Sequence, residues 1–286
     1  MNKGALIFAH NSRDVDYVLL ALIAGGLAKK NLGVPVSLVT DASTLEWAKE
    51  SGIYTQAETV FDKIIEIEKP YTDNTRNLHD GSTKKSVAFT NTNRYSAYEL
   101  SPYDRTLLLD SDFLIFSNRI GQYWDVDESV IMSYAMNDIY DQTRMGYHDR
   151  YVSDTGTHLY WATTVMFSKD QYGELFFQLV DYIRKNYQYY ADLFRFDHRQ
   201  FRNDIAFSVA KHILDGFEST DKFTLPSLLT VQDRDVLTSV KEQQLSFLIS
   251  TQFNQNYVLA STQGVDLHIM NKQSIVRNKD QLLALI

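Results

Sequence analysis

Residues 106–116 read TLLLDSDFLIF, and the fold turns on them. Thr106 to Leu109 is a short apolar run of the kind that fills a buried strand. Asp110-Ser111-Asp112 interrupts it with two carboxylates, and Phe113 to Phe116 resumes it. Like charges two residues apart cost several kcal/mol to bury unless a cation compensates them. If the chain turns at Ser111, both carboxylates approach one hard ion, a donor set that suits Mg²⁺ or Mn²⁺. The plainer alternative is a pair of aspartates capping a turn at a strand end. In the metal-free protein two repelling carboxylates predict that Asp112→Asn leaves stability unchanged or slightly raised.

Upstream, Ala5 to Ala9 (ALIFA) reads as a buried strand followed by polar His10-Asn11-Ser12. Val15 to Lys30 reads as a helix ending near Gly33, and Pro35 to Thr40 as a second strand closed by Asp41. Ser43 and Thr44 can cap a short helix through Lys49, and Lys63 to Ile67 is a third strand stopped by Pro70. Such alternation predicts a mostly parallel sheet with helices on its faces. Tyr71 to Ser82 is expected to be a mobile loop and Lys84 to Leu100 a helix before Pro102. Downstream, Ser129 to Ala135 and Leu159 to Phe167 read as strands, and Lys169 to Tyr187 and Arg202 to Leu214 as helices. A strand-and-loop tail then ends near a terminal helix.

The chain has 286 residues, 44% hydrophobic and 22% charged, with 28 basic against 36 acidic side chains for a net charge of −8. That composition excludes disordered and collagen-like chains, and the acidic balance offers no global attraction to nucleic acid or an anionic membrane. With no cysteine, disulfides, thiolate metal sites and thiol nucleophiles are excluded. The strongest apolar run, Tyr17 to Ala28, is shorter than the ~20 residues of a membrane span, so a cytoplasmic location is expected. No repeat or Gly/Pro linker marks a domain boundary, and residues 1–286 are read as one domain.

The segment SPYDRTLLLDSDFLIF at residues 101–116 resembles the metal-dependent GT-A glycosyltransferases, most nearly the retaining group that includes glycogenin. The resemblance extends from the β-α-β start to a histidine near the C-terminus. It implies a Rossmann-like mixed, mainly parallel sheet, with residues up to about 118 forming a nucleotide-binding half and the remainder a sugar and acceptor half. It implies transfer of a sugar from a nucleoside-diphosphate donor, UDP-sugar above all, with Mn²⁺ or Mg²⁺.

Carried over residue by residue, Asp110 would approach the metal and the donor ribose, with Ser111 beside it, and Asp112 would be the main carboxylate ligand. His268, in GVDLHIMNK, would be the third protein ligand, and Lys272 would reach the diphosphate, although the group's usual glycine and Lys-Pro-Trp are absent. Arg94 would face the donor phosphates. Ala9, His10 and Asn11 would touch the base, with Tyr17 stacking on it and Asp41 on base or ribose. Asp204, with Asn203 beside it, would contact the sugar near the anomeric carbon, so that Asp204, Asp112 and Arg94 form the catalytic set. Each has a structural alternative: a core position for Tyr17, a helix cap for Asp41 or for Asp204 with Asn203, a solvated surface for Arg94, a structural histidine for His268.

Ala162-Thr163-Thr164 departs from the group's Asn-Ser-Gly-like element, and Ile205 from its frequent glutamine. Retention is therefore a weak preference, and Asp138, Asp141 and Asp154 are the candidate bases of an inverting reaction. The acceptor, whether glycan, lipid-linked sugar, protein or nucleic-acid base, is not legible. The aromatic cluster Tyr182, Tyr187, Tyr189, Tyr190, Phe194 and Phe196 suits core packing or a homo-oligomer interface. Two other readings stay open. One is a noncatalytic nucleotide- or carbohydrate-binding protein of this fold. The other is a sugar-nucleotide nucleotidyltransferase, although the His10-Asn-Ser-Arg-Asp14 loop lacks the glycines that class needs.

Overall fold

The computed structural model describes residues 1–70, 73–81, 83–154, 156–197, 199–217, 223–251 and 256–286. The chain opens with β1 (Lys3–Phe8), α1 (Tyr17–Leu32), β2 (Val36–Thr40), α2 (Ala42–Glu50), α3 (Tyr54–Val60) and β3 (Lys63–Glu66). Helix α1 starts where the Asp16 side chain accepts the Leu19 amide and ends at Gly33, whose φ of 66° closes it in the left-handed conformation. Its residues Tyr17 to Ala28 are buried on every side, which explains a run apolar all round rather than along one stripe. Gly25 is needed there, since a Cβ would stand 2.7 Å from the Phe61 ring.

Next come β4 (Thr75–Asp80), β5 (Thr83–Ala88), α4 (Ala97–Leu100), β6 (Arg105–Leu109), β7 (Phe113–Leu114), β8 (Val130–Ser133), β9 (Met136–Asp138) and β10 (Trp161–Ser168). Here two expectations fail. Thr75 pairs antiparallel with Ala88, and Asp80 with Thr83, so a hairpin replaces the loop expected over Tyr71 to Ser82 and the first turns of the helix expected from Lys84. Tyr71, Thr72 and Ser82 themselves lie outside the described residues. The reason is local: Thr83 to Ser86 offers no apolar face for a helix to bury, and Gly81 (φ 59°) supplies the left-handed turn a tight hairpin requires. Only Arg94 to Leu100 is helical, first as a 3₁₀ turn and then as α4.

The last elements are α5 (Gln171–Lys185), α6 (Tyr187–Phe194), α7 (Asn203–Leu214), β11 (Leu228–Val231), β12 (Val236–Lys241), β13 (Gln244–Ser250), β14 (Tyr257–Gln263), β15 (Leu267–Ile269), α8 (Lys272–Arg277) and α9 (Lys279–Leu283). The main sheet has the order β3-β2-β1-β6-β10-β8, parallel from β3 to β6 and antiparallel at β10. A mixed, mainly parallel sheet flanked by helices is thus the architecture, in one domain. A second sheet, β7-β15-β11-β9, brings the C-terminal region against the segment after β6, and β12-β13-β14 form an antiparallel meander. The aromatic cluster divides: Tyr187, Tyr190, Phe194 and Phe196 are buried, whereas Tyr182 and Tyr189 are exposed. None of the described helices is long and apolar enough to cross a membrane.

Candidate functional site

Strand β6 is buried along its whole length and ends at Leu109, after which the Phe113 amide bonds the Asp110 carbonyl at 3.2 Å and turns the chain as the Ser111 reading required. The second sheet completes the site. His268 pairs with Phe113 across β15 and β7, and the Ile269 amide donates to the Asp112 carbonyl at 2.9 Å. This register fixes the imidazole beside the carboxylates, with Nε2 3.5 Å from Asp112 Oδ1. Asp110, Asp112 and His268 each offer a ligand atom within 4.8 Å of the others. The donor set of two carboxylates and an imidazole fits Mg²⁺ or Mn²⁺, and His268 Nδ1 is buried without a hydrogen-bond partner.

Cations surround the pair. Lys272, the first residue of α8, places its ammonium on Asp112 Oδ2 with both groups buried. Burial pulls Lys272 down to about 8, against the Asp112 charge. Burial works the other way on Asp112, but Lys272, His268 and Arg76 hold its carboxyl well below the usual range. Arg94 is buried too, ion-paired with Asp110 and donating to the Ala162 carbonyl. Burial brings its guanidinium down to about 10. The solvated-surface alternative for Arg94 is therefore excluded.

These groups line a cleft of about 380 Å³, together with Tyr17, Ser111 and Asp204. Sequence reasoning missed Arg76, on β4, and Arg202, just before α7, both in the cleft wall. Arg76 faces Tyr17 and Asp112, and its only signal was a basic residue in a segment read as loop. Arg202 pairs with Asp204, and this charge, acting ahead of the opposing burial, raises its guanidinium. Four basic side chains, Arg76, Arg94, Arg202 and Lys272, thus meet three carboxylates, Asp110, Asp112 and Asp204.

Ala9, His10, Asn11 and Asp41 do not line this cleft. His10 is wholly buried, with Nδ1 2.8 Å from Asp41 Oδ2, Nε2 3.2 Å from Asn93 Nδ2 and its amide on Asn91 Oδ1. Asp41 is the N-cap of α2, accepting the Thr44 amide at 3.1 Å. Asn11 Oδ1 accepts the Val18 amide at 2.9 Å, inside the first turn of α1. The loop after β1 is therefore a closed hydrogen-bonded network, because burial obliges its polar groups to find partners. Of the inverting-base candidates, Asp138 bonds Arg144 at 3.1 Å and two backbone amides, and Asp141 caps a 3₁₀ turn. Asp154 faces a second cavity.

No protein-family model and no curated protein matches this chain. Among solved structures, it matches the glycosyltransferase GlyE of Streptococcus pneumoniae TIGR4 at 15% identity over 75% of this chain and 43% of that one, with a TM-score of 0.40. It matches the galactosyltransferase LgtC, in complex with donor and acceptor sugar analogues, at 13% over 72% and 70%, with a TM-score of 0.43. For the inositol-1-phosphate CTP transferase of T. maritima the figures are 12%, 75%, 82% and 0.38. This chain spans less than half of GlyE's length. Identities and TM-scores at this level transfer no residue role to it.

Proposed function

We propose that this protein is a metal-dependent glycosyltransferase that uses a nucleoside-diphosphate sugar, with UDP as the nucleotide. One observation carries the reading: Asp110, Asp112 and His268 converge at the carboxyl end of parallel strand β6 inside a cleft walled by four basic side chains. Ligands of open α/β sheets sit beyond such strand ends. Asp110, Asp112 and His268 would hold Mn²⁺ or Mg²⁺, which when bound supplies positive charge against a diphosphate.

Unpartnered atoms support the same reading. Among the described residues, Arg76, Trp161, Asn203 and His268 each carry a buried side-chain N or O without a hydrogen bond, and all four line this cleft. Such atoms are costly unless a polar ligand meets them. Arg76, Arg94 and Lys272 would bind and orient the diphosphate, and Asp204 with Asn203 the sugar. Retention is the weak preference: in a same-face transfer, stabilisation of the departing diphosphate supplies much of the rate and no base on the opposite face is needed. The nucleotide-binding half would end near residue 118.

Calorimetry with UDP and GDP, with and without Mn²⁺, is the test. UDP binding that requires the metal is expected, accompanied by slow UDP release from a UDP-sugar. Tight nucleotide binding without metal sinks the reading, and metal-dependent binding with no donor hydrolysis favours a noncatalytic binding protein.

A further inference from the structure

Three strands of the second sheet carry three polar side chains in one row. In the register of β15, β11 and β9, His268 lies opposite Thr230 and Thr230 opposite Asp138. Paired residues of neighbouring strands project from the same face of a sheet, so the row leads away from the candidate metal cluster under the cleft. All three side chains are buried, Thr230 fully and Asp138 and His268 at 5% and 7% exposure. Among the described residues, His268 Nδ1, Thr230 Oγ1 and Asp138 Oδ2 each lack a hydrogen-bond partner. A buried polar atom left alone costs about 1–3 kcal/mol, and three of them on consecutive strands share one explanation if they serve one another.

The far end of the row is held firmly. Asp138 Oδ1 accepts the Tyr140 and Asp141 amides at 2.8 and 3.1 Å and Arg144 Nη1 at 3.1 Å, and Asp235 clasps Arg144 through two bonds of 2.7 Å. Oδ2 remains as the open acceptor of that carboxylate. At the near end, His268 Nε2 is the nitrogen 3.5 Å from Asp112 Oδ1, which makes it the one placed for a metal. Nδ1 is left for the protein to satisfy.

The polarity of the row admits one arrangement. A carboxylate ion-paired with Arg144 only accepts, so the Thr230 hydroxyl donates to Asp138 Oδ2 and its lone pair accepts the Nδ1 proton of His268. The Nε2 lone pair is then free on the Asp112 side. That is the tautomer a metal ligand needs, and ligating histidines are commonly oriented by a partner on their other nitrogen.

We infer that Thr230, backed by Asp138, is a positioning residue for His268, fixing its imidazole with Nε2 turned to the metal. The inference rests on the proposed function. In this structure the three atoms stand apart, and the bonds close when Nε2 is engaged, since hydrogen bonds of a site without its ligand are often long and tighten on binding. Bonds made only in the bound state contribute their energy to metal affinity. Thr230 lines neither cavity, so it acts on that affinity rather than on turnover at saturating Mn²⁺.

The test compares the full chain with Thr230→Val, which keeps the shape and removes the hydroxyl, and Thr230→Ser, which restores it. Electron paramagnetic resonance of free Mn²⁺ gives the metal affinity in the presence of UDP. Nitrogen-resolved NMR with Mg²⁺ and UDP follows the His268 Nδ1 proton and its exchange with water. In wild type and Thr230→Ser this proton should be protected from exchange. In Thr230→Val the protection should disappear and Mn²⁺ should bind about ten- to a hundredfold more weakly, with no fall in the thermal midpoint, because the change removes an unpaired buried hydroxyl. An unprotected Nδ1 proton in wild type overturns the inference, as does Mn²⁺ affinity that Thr230→Val leaves unchanged or that Thr230→Ser fails to restore. Absence of metal-dependent UDP binding in wild type, by contrast, strikes the proposed function itself.

Discussion

The Lys272 ammonium sits on the carboxylate of Asp112, one of the three candidate metal ligands, and both side chains are buried. Repulsion between Asp110 and Asp112 was the expectation from the sequence, but each carboxylate has its own cation, Arg94 on one and Lys272 on the other. Asp112→Asn should therefore lower stability, because it leaves buried Lys272 uncompensated. Breaking a buried pair from one side costs about 3–5 kcal/mol, and removing both charges costs much less. Urea denaturation of the metal-free protein should show Asp112→Asn destabilised and Asp112→Asn with Lys272→Met largely recovered. Equal stability of wild type and Asp112→Asn would mean the repulsion reading was right. Metal-dependent UDP binding should be lost in both variants.

Arg76 comes from the hairpin rather than from the main sheet, and the charges it faces include other cations: it lowers both Lys272 and Arg94, for each of which burial is the larger cause. Removing it relieves that repulsion but takes away a cation that holds buried Asp112 ionised, and against burial the net attraction raises the Arg76 guanidinium; it also removes a guanidinium suited to a diphosphate. Arg76→Met should weaken UDP binding with Mn²⁺ by about ten- to a hundredfold, equivalent to roughly 1.4–2.8 kcal/mol, while the thermal midpoint falls. Calorimetry and a melting curve on the same variant check both halves, and unchanged UDP affinity removes Arg76 from the site.

The main sheet was legible because parallel strands buried on both faces are apolar throughout, and TLLL and ALIFA can be little else. Asp110 and Asp112 were legible because charge inside such a run demands a reason. His268 could be matched only through resemblance, since nothing local to GVDLHIM encodes the β15–β7 pairing that brings it to Asp112. The hairpin was illegible for a different reason. Its strands alternate weakly and are mostly exposed, so Arg76 carried no pattern at all. His10 and Asp41, which the structure bonds to each other and leaves out of the cleft lining, are polar groups at strand ends, where a ligand contact and a buried structural network look alike in sequence.

That network gives the fold an acid sensitivity. Burial lowers His10 from its ordinary 6.5, outweighing the hydrogen bond that its ring gives to Asp41. The unfolded chain thus takes up a proton that the folded one refuses, and stability falls as pH drops through about 6.5. Asp41 acts lower: burial opposes its ionisation, but Ser43, His10 and Thr44 hold it at about 2. Its contribution is present above about pH 3.8 and fades toward pH 2. Urea midpoints measured from pH 7.5 to 4.5 should decline in wild type. In His10→Asn they should start lower, since the bond to Asp41 is lost, but vary less between pH 7 and 5. Parallel curves would show that His10 does not set the slope.

Asp204 and Asp138 separate the two stereochemical courses. Asp204 lines the same cleft as Asp110, Asp112 and His268, where Arg202 holds it beside Asn203. On the proposed function its removal takes a charge from the sugar's end of the site without touching Asp110, Asp112 or His268. Asp204→Ala should lower kcat by about a hundredfold or more with UDP affinity close to wild type. Asp138, by contrast, is buried and shares Arg144 with Asp235, which takes the guanidinium through two bonds of 2.7 Å. A carboxylate so engaged is poorly suited to take a proton from an acceptor hydroxyl, and it lines neither cavity. Asp138→Asn should therefore lower the urea midpoint, since it weakens a buried ion-paired network, and leave kcat of the folded enzyme within about threefold. If Asp138→Asn instead abolished transfer in a protein of wild-type stability, Asp138 would be acting as a base. NMR of the product's anomeric proton should then show a β-linked sugar from an α-linked donor.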